Sequence, residues 1–295
     1  MKKSVIESLS LGLNKLLYLT DEYVNKRVNE ICSIPTTDKK SMLLKAISVI
    51  DLTSLNADDT RETIEELCAK AINPLGDKSD NKDLHTAAVC VLQSRVQDAK
   101  NVFKRENSKN IAIATVAGDF PTAALSYDQR LKDVIAAGQS DADEIDIVID
   151  RSLVENENWE ELFRQISEMR KACGDKHMKT ILSTGDLSSV YHVYKAAMVA
   201  MSAGSNFIKT STGKESVNAT LEVGIVICEA IKEFTKWTGV KVGFKPAGGI
   251  KTSLQALQWV NLVSEILGEE WLDKKLFRIG ASSLLDDLVE AVNNS

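Results

Sequence analysis

Residues 178–209 read MKTILSTGDLSSVYHVYKAAMVAMSAGSNFIK, and this stretch decides the fold class. It begins with a β-type run at 178–182, continues as a periodic helical segment over 186–203, and returns to a β-type run at 206–209. Gly204 stands directly after the helical segment, where a glycine commonly ends a helix. A strand, a helix and a second strand in this order predict a parallel βαβ unit.

The same alternation continues along most of the chain. Helical patterns separate eight β-type runs, at 47–52, 87–92, 111–116, 144–149, 178–182, 206–209, 242–246 and 277–280. Eight such units favour an α/β fold of the closed TIM (β/α)8 type over an open doubly wound sheet. The first 45 residues read as helical instead, with a break at Ser33-Ile-Pro35. The prediction is an N-terminal helical extension over 1–45, followed by a barrel domain over 46–295.

Composition restricts the class of protein. The 295 residues are 44% hydrophobic, with 36 basic and 42 acidic side chains and a net charge of −6. This balance argues against a nucleic-acid binder or a polybasic membrane binder. No apolar run reaches the roughly 18 residues of a membrane span, and no signal peptide is predicted. The five scattered cysteines predict buried, reduced thiols and a cytoplasmic location.

Four ionisable residues interrupt strands that should be apolar on both faces. Alternation within 143–149 places Asp146 opposite the isoleucines, so Asp146 is predicted to point into the barrel. By the same parity Lys179, Lys209 and Lys245 point inward, which gives one carboxylate and three ammonium groups. Crowded cations lower one another's pKa, and a neutral lysine attacks carbonyl groups, so Schiff-base chemistry is expected. The alternatives are a structural ion-pair network or wrongly assigned strands, and the pattern does not identify the nucleophilic lysine.

Two glycine- and serine-containing turns follow the last two predicted strands. They are Lys245-Pro-Ala-Gly-Gly-Ile-Lys251 and Gly280-Ala-Ser-Ser283, the second of which opens the last helix. Loops in these positions, with a helix N-terminus, form the recurring phosphate site of TIM barrels. The alternative is ordinary turn glycines and a serine N-cap.

Two other patterns carry no site. Residues 211–216 resemble part of a P-loop, but they lack its first glycine and its Ser/Thr after the lysine. The histidines His85, His177 and His192 have no metal-ligand spacing, which argues against a zinc-dependent aldolase.

Longer motifs resemble the deoxyribose-phosphate aldolase family. They run in order from about residue 50 to residue 285, over nearly the whole predicted barrel: Asp51-Leu-Thr-Ser-Leu55, Glu144-Ile-Asp146, Phe207-Ile-Lys-Thr-Ser-Thr-Gly-Lys214, Val217-Asn-Ala-Thr220, Gly243-Phe-Lys-Pro-Ala-Gly-Gly249 and Phe277-Arg-Ile-Gly-Ala-Ser-Ser283. Three further stretches resemble the eukaryotic branch, which carries an N-terminal extension: Arg151-Ser-Leu-Val154, Lys171-Ala-Cys-Gly174 and His177-Met-Lys-Thr-Ile-Leu182.

The resemblance implies a class I aldolase that reversibly cleaves 2-deoxy-D-ribose 5-phosphate to D-glyceraldehyde 3-phosphate and acetaldehyde, in deoxyribose phosphate catabolism. It implies that Lys209 is the Schiff-base lysine and that Asp146 and Lys245 are the proton donor/acceptor pair. Lys245 would also lower the pKa of Lys209, and Lys179 would be a further lysine that lines the pocket. The implied phosphate-binding residues are Gly213, Gly248, Gly249, Lys251, Gly280, Ser282 and Ser283. No cofactor or metal is implied, and a homodimer is compatible with the resemblance.

The chain departs from the family pattern in two places. Phe120-Pro-Thr-Ala123, preceded by an extra Asp119, stands where the family often has Phe-Pro-x-Gly. Val292-Asn-Asn-Ser295 lacks the tyrosine that many members carry at the C-terminus, a difference that concerns the efficiency of proton transfer and not the reaction class. The alternative functions are another Schiff-base barrel enzyme, such as a transaldolase-like or dehydroquinase-like one, and a non-catalytic barrel that binds sugar phosphates.

Overall fold

Eight parallel strands form the centre of the computed structural model, which describes residues 18–35, 38–76, 81–108 and 110–295. They are β1 (Ile50–Thr53), β2 (Ala88–Val91), β3 (Ala112–Ala117), β4 (Glu144–Val148), β5 (His177–Ile181), β6 (Phe207–Lys209), β7 (Gly243–Lys245) and β8 (Ile279–Ala281). Consecutive strands from β1 to β7 are neighbours, and β1 also pairs with β8. Two isolated bridges, Phe244–Phe277 and Ala247–Gly280, connect the β7 region to the β8 region. The predicted TIM barrel is confirmed.

Helices surround this sheet. Within the described residues they are α1 (Asp21–Cys32), α2 (Lys39–Ser48), α3 (Arg61–Ile72), α4 (Val96–Arg105), α5 (Tyr127–Gln139), α6 (Arg151–Glu155), α7 (Trp159–Ala172), α8 (Val190–Ser202), α9 (Leu221–Thr238), α10 (Ser253–Leu267) and α11 (Leu284–Asn293). Short 3-10 turns occur at Gln93–Arg95, Thr184–Asp186 and Glu269–Trp271. Gly204 and Gly239 adopt φ values of 98° and 73° after α8 and α9, as expected for glycines that end helices.

The apolar core lies between the sheet and these helices. In β4, Ile145 and Ile147 are fully buried and belong to one apolar cluster with Val134 of α5 and Ile166 of α7. Alternation along the strand therefore directs Asp146 to the opposite face, into the barrel. The fold thus supplies an interior in which charged side chains from several strands meet.

The N-terminal region differs from its prediction in one respect. Residues 47–48, expected in a strand, end α2, because Leu43, Ala46 and Ile47 form a single buried helical face. The predicted boundary at residue 45 consequently falls inside α2, which packs against α10 and α11. The expected helical pattern of residues 1–17 lies outside the described residues.

The cysteine prediction is correct for four of the five thiols. Cys68, Cys90, Cys173 and Cys228 are buried, but Cys32 at the end of α1 is exposed, and all five are free. Cys32 departs from the prediction because α1 buries only one face, through residues such as Val24 and Ile31. Among the described residues, no helix has the length and apolar character needed to cross a lipid bilayer.

Candidate active site

The four ionisable residues predicted to point inward meet inside the barrel. Asp146 of β4 is paired in register with Lys179 of β5, and Lys209 of β6 with Lys245 of β7. Their side chains are buried, with exposed fractions of 0% for Asp146, Lys179 and Lys245 and 3% for Lys209. The parity argument from the sequence therefore places all four correctly.

The Asp146 carboxylate binds all three lysines directly. The Lys179 ammonium lies 2.8 Å from Asp146 Oδ1, whereas Lys209 and Lys245 share Oδ2, at 2.9 and 2.8 Å. A single carboxylate between three amines can both orient them and exchange protons with whichever amine is near a reacting carbon.

Three further ionisable side chains, which the sequence reasoning missed, complete the cluster. Asp51 of β1 lies 2.6 Å from Lys245, and Glu144 of β4 lies 2.6 Å from Lys179. Arg278, directly before β8, joins the two carboxylates at 2.6 Å from Asp51 and 2.7 Å from Glu144. Glu144 has the same parity as Asp146, so the alternation of β4 already contained its signal.

These additional groups correct the expected charge imbalance. The sequence suggested three cations against one carboxylate, but the structure places four cations, with Arg278, against Asp51, Glu144 and Asp146. If one lysine is neutral, three positive charges balance three negative ones. A balanced, hydrogen-bonded cluster avoids much of the cost of burying unpaired charge.

The environment of each amine distinguishes Lys209 as the lysine of the cluster whose pKa is lowered. Burial, and then the Lys245 ammonium, hold the pKa of Lys209 below its usual value, although Asp146 opposes them. Burial also disfavours the charged form of Lys245, but Asp146 and Asp51 outweigh it and raise the pKa of Lys245. Asp146 and Glu144 likewise outweigh burial and raise the pKa of Lys179. Lys209 is therefore the amine of the three that is best suited to attack a carbonyl group.

The carboxylates stay ionised. Although burial raises the pKa of Asp146, the neighbouring side chains of Lys179, Lys209 and Lys245 hold it well below the usual range. Arg278 and Lys245 similarly outweigh burial at Asp51 and lower its pKa.

Lys209 also lines a cavity of about 310 Å³ at the carboxyl ends of the strands. The cavity is bounded by the loops after β1, β6, β7 and β8. All seven residues predicted to bind phosphate line it: Gly213, Gly248, Gly249, Lys251, Gly280, Ser282 and Ser283. Lys214, which the sequence reasoning did not select, adds a further cation to the same wall.

The backbone around this cavity has the form of an anion site. Gly248 and Gly249 adopt φ values of 82° and 78°, and a Cβ on Gly248 would lie 2.5 Å from the side-chain oxygen of Asn218. The serine-cap alternative is not what the structure contains, because the Ser283 side chain forms no capping hydrogen bond with any described residue. The first amides of α11 thus remain available to an anion.

Gly213 behaves differently from the other predicted phosphate residues. It lines the cavity at a φ of 87°, but its amide donates to the Glu215 carboxylate at 3.0 Å. The Thr212 amide donates to the same carboxylate at 2.9 and 3.1 Å. An internal carboxylate therefore occupies the amides of the β6 loop.

The unusual loop after β3 is organised by its extra residue. Asp119, at a φ of 63°, accepts hydrogen bonds from Thr122 Oγ1 and from the amides of Ala124 and Leu125, at 2.9, 2.7 and 3.0 Å. The Phe120–Pro121 peptide bond is cis, and the Phe120 ring centroid lies 6.0 Å from the Lys209 Nζ. The loop thus supplies an apolar wall beside Lys209.

Metal ligands are a separate question. Over residues 18–35, 38–76, 81–108 and 110–295, no group of three or more His, Cys, Asp or Glu side chains is arranged to hold a metal ion.

Comparison with known proteins agrees with this geometry. The chain is 48% identical over 274 residues to deoxyribose-phosphate aldolase from Homo sapiens, covering 90% of this chain and 86% of that one. It is 51% identical over 252 residues to the enzyme of the same name from Mus musculus, covering 83% and 79%. A solved structure from Toxoplasma gondii, 22% identical, shares the fold with a TM-score of 0.75 over 87% of this chain and 96% of that chain.

The family model described as DeoC/LacD family aldolase matches residues 45–287, which include every strand of the barrel, the lysine cluster and the phosphate-type cavity. Together with relatives about half identical over most of their length, this match leads to one conclusion. The chain belongs to the DeoC/LacD family of aldolases.

Proposed function

We propose that this chain is a class I aldolase that reversibly cleaves 2-deoxy-D-ribose 5-phosphate to D-glyceraldehyde 3-phosphate and acetaldehyde. The observation that carries the proposal is the position of Lys209. This buried amine, whose pKa is lowered, lies at the wall of a cavity lined by backbone amides and cations suited to phosphate. The relatives named deoxyribose-phosphate aldolase support the choice of sugar phosphate.

The first step follows from the lowered pKa of Lys209, which favours its neutral form. Lys209 attacks the C1 aldehyde of the open-chain sugar, and loss of water gives a protonated imine. A base removes the C3 hydroxyl proton, the C2–C3 bond breaks, and its electron pair flows into the imine to leave an enamine. Glyceraldehyde 3-phosphate departs with the new C3 carbonyl. Protonation of the enamine at C2 and hydrolysis then release acetaldehyde and restore Lys209.

We assign the proton movements to Asp146 and Lys245. Asp146 Oδ2 lies 2.9 Å from the Lys209 nitrogen and 2.8 Å from Lys245, so one oxygen connects the reacting amine to a protonated neighbour. Lys179, held by Asp146 on one side and Glu144 on the other, keeps the carboxylate oriented. Each role needs only a short transfer between groups already in contact.

We assign the phosphate to the amides after β7 and at the start of α11, together with the side chains of Lys214 and Lys251. A phosphate anchored there places the sugar's aldehyde end toward Lys209. Binding energy from this remote group then helps to organise the reacting carbon atoms.

The cellular setting is part of the same proposal. The five free thiols favour a reducing compartment, so we propose that the enzyme acts in the cytoplasm. The expected homodimer also stays a prediction, which light scattering on the purified protein would test.

Trapping with borohydride tests the proposed function. Incubation with acetaldehyde and borohydride should reduce the imine to a stable ethyl adduct, which peptide mapping should place on Lys209. Lys209→Ala should lose both the adduct and sugar-phosphate cleavage while keeping its circular dichroism spectrum. Lys195→Ala is the matched control, since Lys195 is a buried lysine with a lowered pKa on α8, outside the cluster.

Each alternative function has its own outcome. A label on Lys179 or Lys245 would contradict the assignment of the nucleophile. Absence of any label, with sugar-phosphate binding retained, would identify a non-catalytic binding barrel. A label on Lys209 without cleavage of deoxyribose 5-phosphate would favour another Schiff-base enzyme, such as a transaldolase-like one.

A further inference from the structure

The Phe120 side chain borders both the proposed nucleophile and a second cavity. The Lys209 Nζ lies over the Phe120 ring, at 6.0 Å from its centroid. The same side chain lines a cavity of about 530 Å³ at the loops after β2 and β3, together with the apolar side chains of Leu92, Val116 and Leu125. The phosphate-type cavity, which Lys209 lines, lies instead at the loops after β1, β6, β7 and β8. The ring therefore stands where the reacting amine and the second cavity approach each other.

The loop that carries Phe120 is held on both sides of the ring. Asp133 of α5 accepts hydrogen bonds from the amides of the two residues before Phe120, at 2.8 and 3.0 Å. After the ring, the Arg151 guanidinium of α6 donates to the carbonyl oxygen of Thr122 at 2.6 Å. The backbone of Phe120 is thus fixed by side chains from two helices.

The ring itself is fixed by packing. Phe120 packs against a small apolar cluster in the barrel interior, whose buried members are Cys90, Ala114 and Val116. Side chains in such close-packed surroundings keep one position on average. Phe120 is therefore a rigid wall beside Lys209.

The distance between Lys209 and this wall matches a two-carbon donor. An enamine formed from acetaldehyde extends about 2.4 Å beyond the lysine nitrogen, from ordinary bond lengths and angles. When its C2 atom is directed at the ring, the 6.0 Å separation leaves about 3.6 Å between them, which is an optimal carbon–carbon contact. A further carbon atom on C2 in this direction would overlap the ring.

We propose that Phe120 is a specificity-determining residue that restricts the donor to two carbon atoms, because it closes the second cavity to any alkyl chain on C2 of the enamine. Without the ring, such a chain could extend past Leu92 and Val116 into the cavity of about 530 Å³. Cavities of this size accommodate whole small-molecule ligands. The inference rests on the proposed function, in which Lys209 forms the enamine.

Exchange of the α protons of an aldehyde for deuterium tests the donor size. The exchange requires imine formation and removal of an α proton, but no acceptor aldehyde. The full chain, Phe120→Leu and Phe120→Ala are incubated in deuterium oxide with acetaldehyde or with butanal, and exchange is followed by proton NMR. Phe120→Ala should raise the ratio of the butanal rate to the acetaldehyde rate by about 10- to 100-fold, since it removes the overlap with one or two extra carbon atoms. Phe120→Leu should raise the ratio less.

Two controls accompany these variants. Phe120→Tyr keeps the ring and should keep the preference for acetaldehyde. Phe163→Ala removes a partly buried phenylalanine of α7, outside the barrel interior, and should leave the ratio unchanged. Melting curves show which variants are folded at the assay temperature, and Phe120→Leu provides the comparison if Phe120→Ala is unfolded.

Three results would overturn the inference. They are an unchanged ratio in the folded Phe120→Leu and Phe120→Ala variants, equal rates for butanal and acetaldehyde in the unaltered protein, and loss of exchange with both aldehydes in the folded variants. The last result would mean that the ring positions the reacting amine instead of selecting the donor. Failure of the proposed function is distinguishable, because the unaltered protein would then exchange no protons of acetaldehyde and cleave no sugar phosphate.

Discussion

Replacing Lys245 by methionine should raise the pKa of Lys209, because it removes the cation nearest to the proposed nucleophile. Lys245 and Lys209 share Asp146 Oδ2 at 2.8 and 2.9 Å. Their ammonium groups thus lie within about 6 Å, where two unit charges repel by about 3 kcal/mol at an effective dielectric constant of about 20. That energy corresponds to a pKa change of about 2 units.

The charge balance of the cluster also predicts that the pKa of Lys209 rises in Lys245→Met. Without Lys245, the three carboxylates face only Lys179 and Arg278, and protonation of Lys209 restores the balance. Asp146, relieved of Lys245, also interacts more strongly with Lys209. Because only the neutral amine forms an imine, the neutral fraction at pH 7 should fall by up to about 100-fold.

The assay is the rate of imine trapping with acetaldehyde and borohydride, measured against pH. For Lys245→Met the rising limb should move to higher pH by about 2 units. Lys245→Arg, which keeps the charge, is the control and should move much less. Removal of one partner from a buried ion pair also destabilises the fold by about 3–5 kcal/mol, so melting curves must show that both variants are folded at the assay temperature.

An unshifted profile for folded Lys245→Met would refute the electrostatic reasoning. Burial acts on Lys209 in the same direction as Lys245 and more strongly. An unshifted profile would mean that the burial of Lys209, and not the Lys245 charge, keeps its pKa low.

Two further predictions concern proton transfer and phosphate. Asp146→Asn should lower kcat for cleavage by roughly 100- to 10,000-fold, since it removes the proposed proton carrier. Deuterium exchange at the methyl group of acetaldehyde should slow in parallel. An exchange rate equal to that of the unaltered protein would assign the proton transfer to another residue. Ser282→Asp should lower kcat/KM for deoxyribose 5-phosphate on the order of 100-fold, because the new carboxylate repels the phosphate. Steady-state kinetics with deoxyribose, which has no phosphate, should show a much smaller decrease in kcat/KM. Equal decreases for both sugars would place the phosphate away from Ser282.

The interior position of the lysines was predictable from the sequence. Alternation of side chains along a strand is a local rule, so Ile145 and Ile147 on one face determine the direction of Asp146. The same rule oriented Lys179, Lys209 and Lys245. Glu144 follows it too, although it was not selected from the sequence.

The end of α2 was less predictable. Ile47 and Val49 suit a strand, but Ile47 completes the buried face of the helix with Leu43 and Ala46. Packing decides between helix and strand when a short apolar segment satisfies both patterns.

The sequence by itself therefore determined the barrel, the inward lysines and the two turns that line the cavity, because periodicity and turn chemistry act over short distances along the chain. Only the tertiary structure decided which lysine has the lowered pKa. That outcome depends on groups such as Asp51 of β1, which raises the pKa of Lys245 from 2.6 Å away although the two residues are distant in the sequence. The pKa of a buried amine is set by every charge within a few ångströms, whatever its place in the sequence.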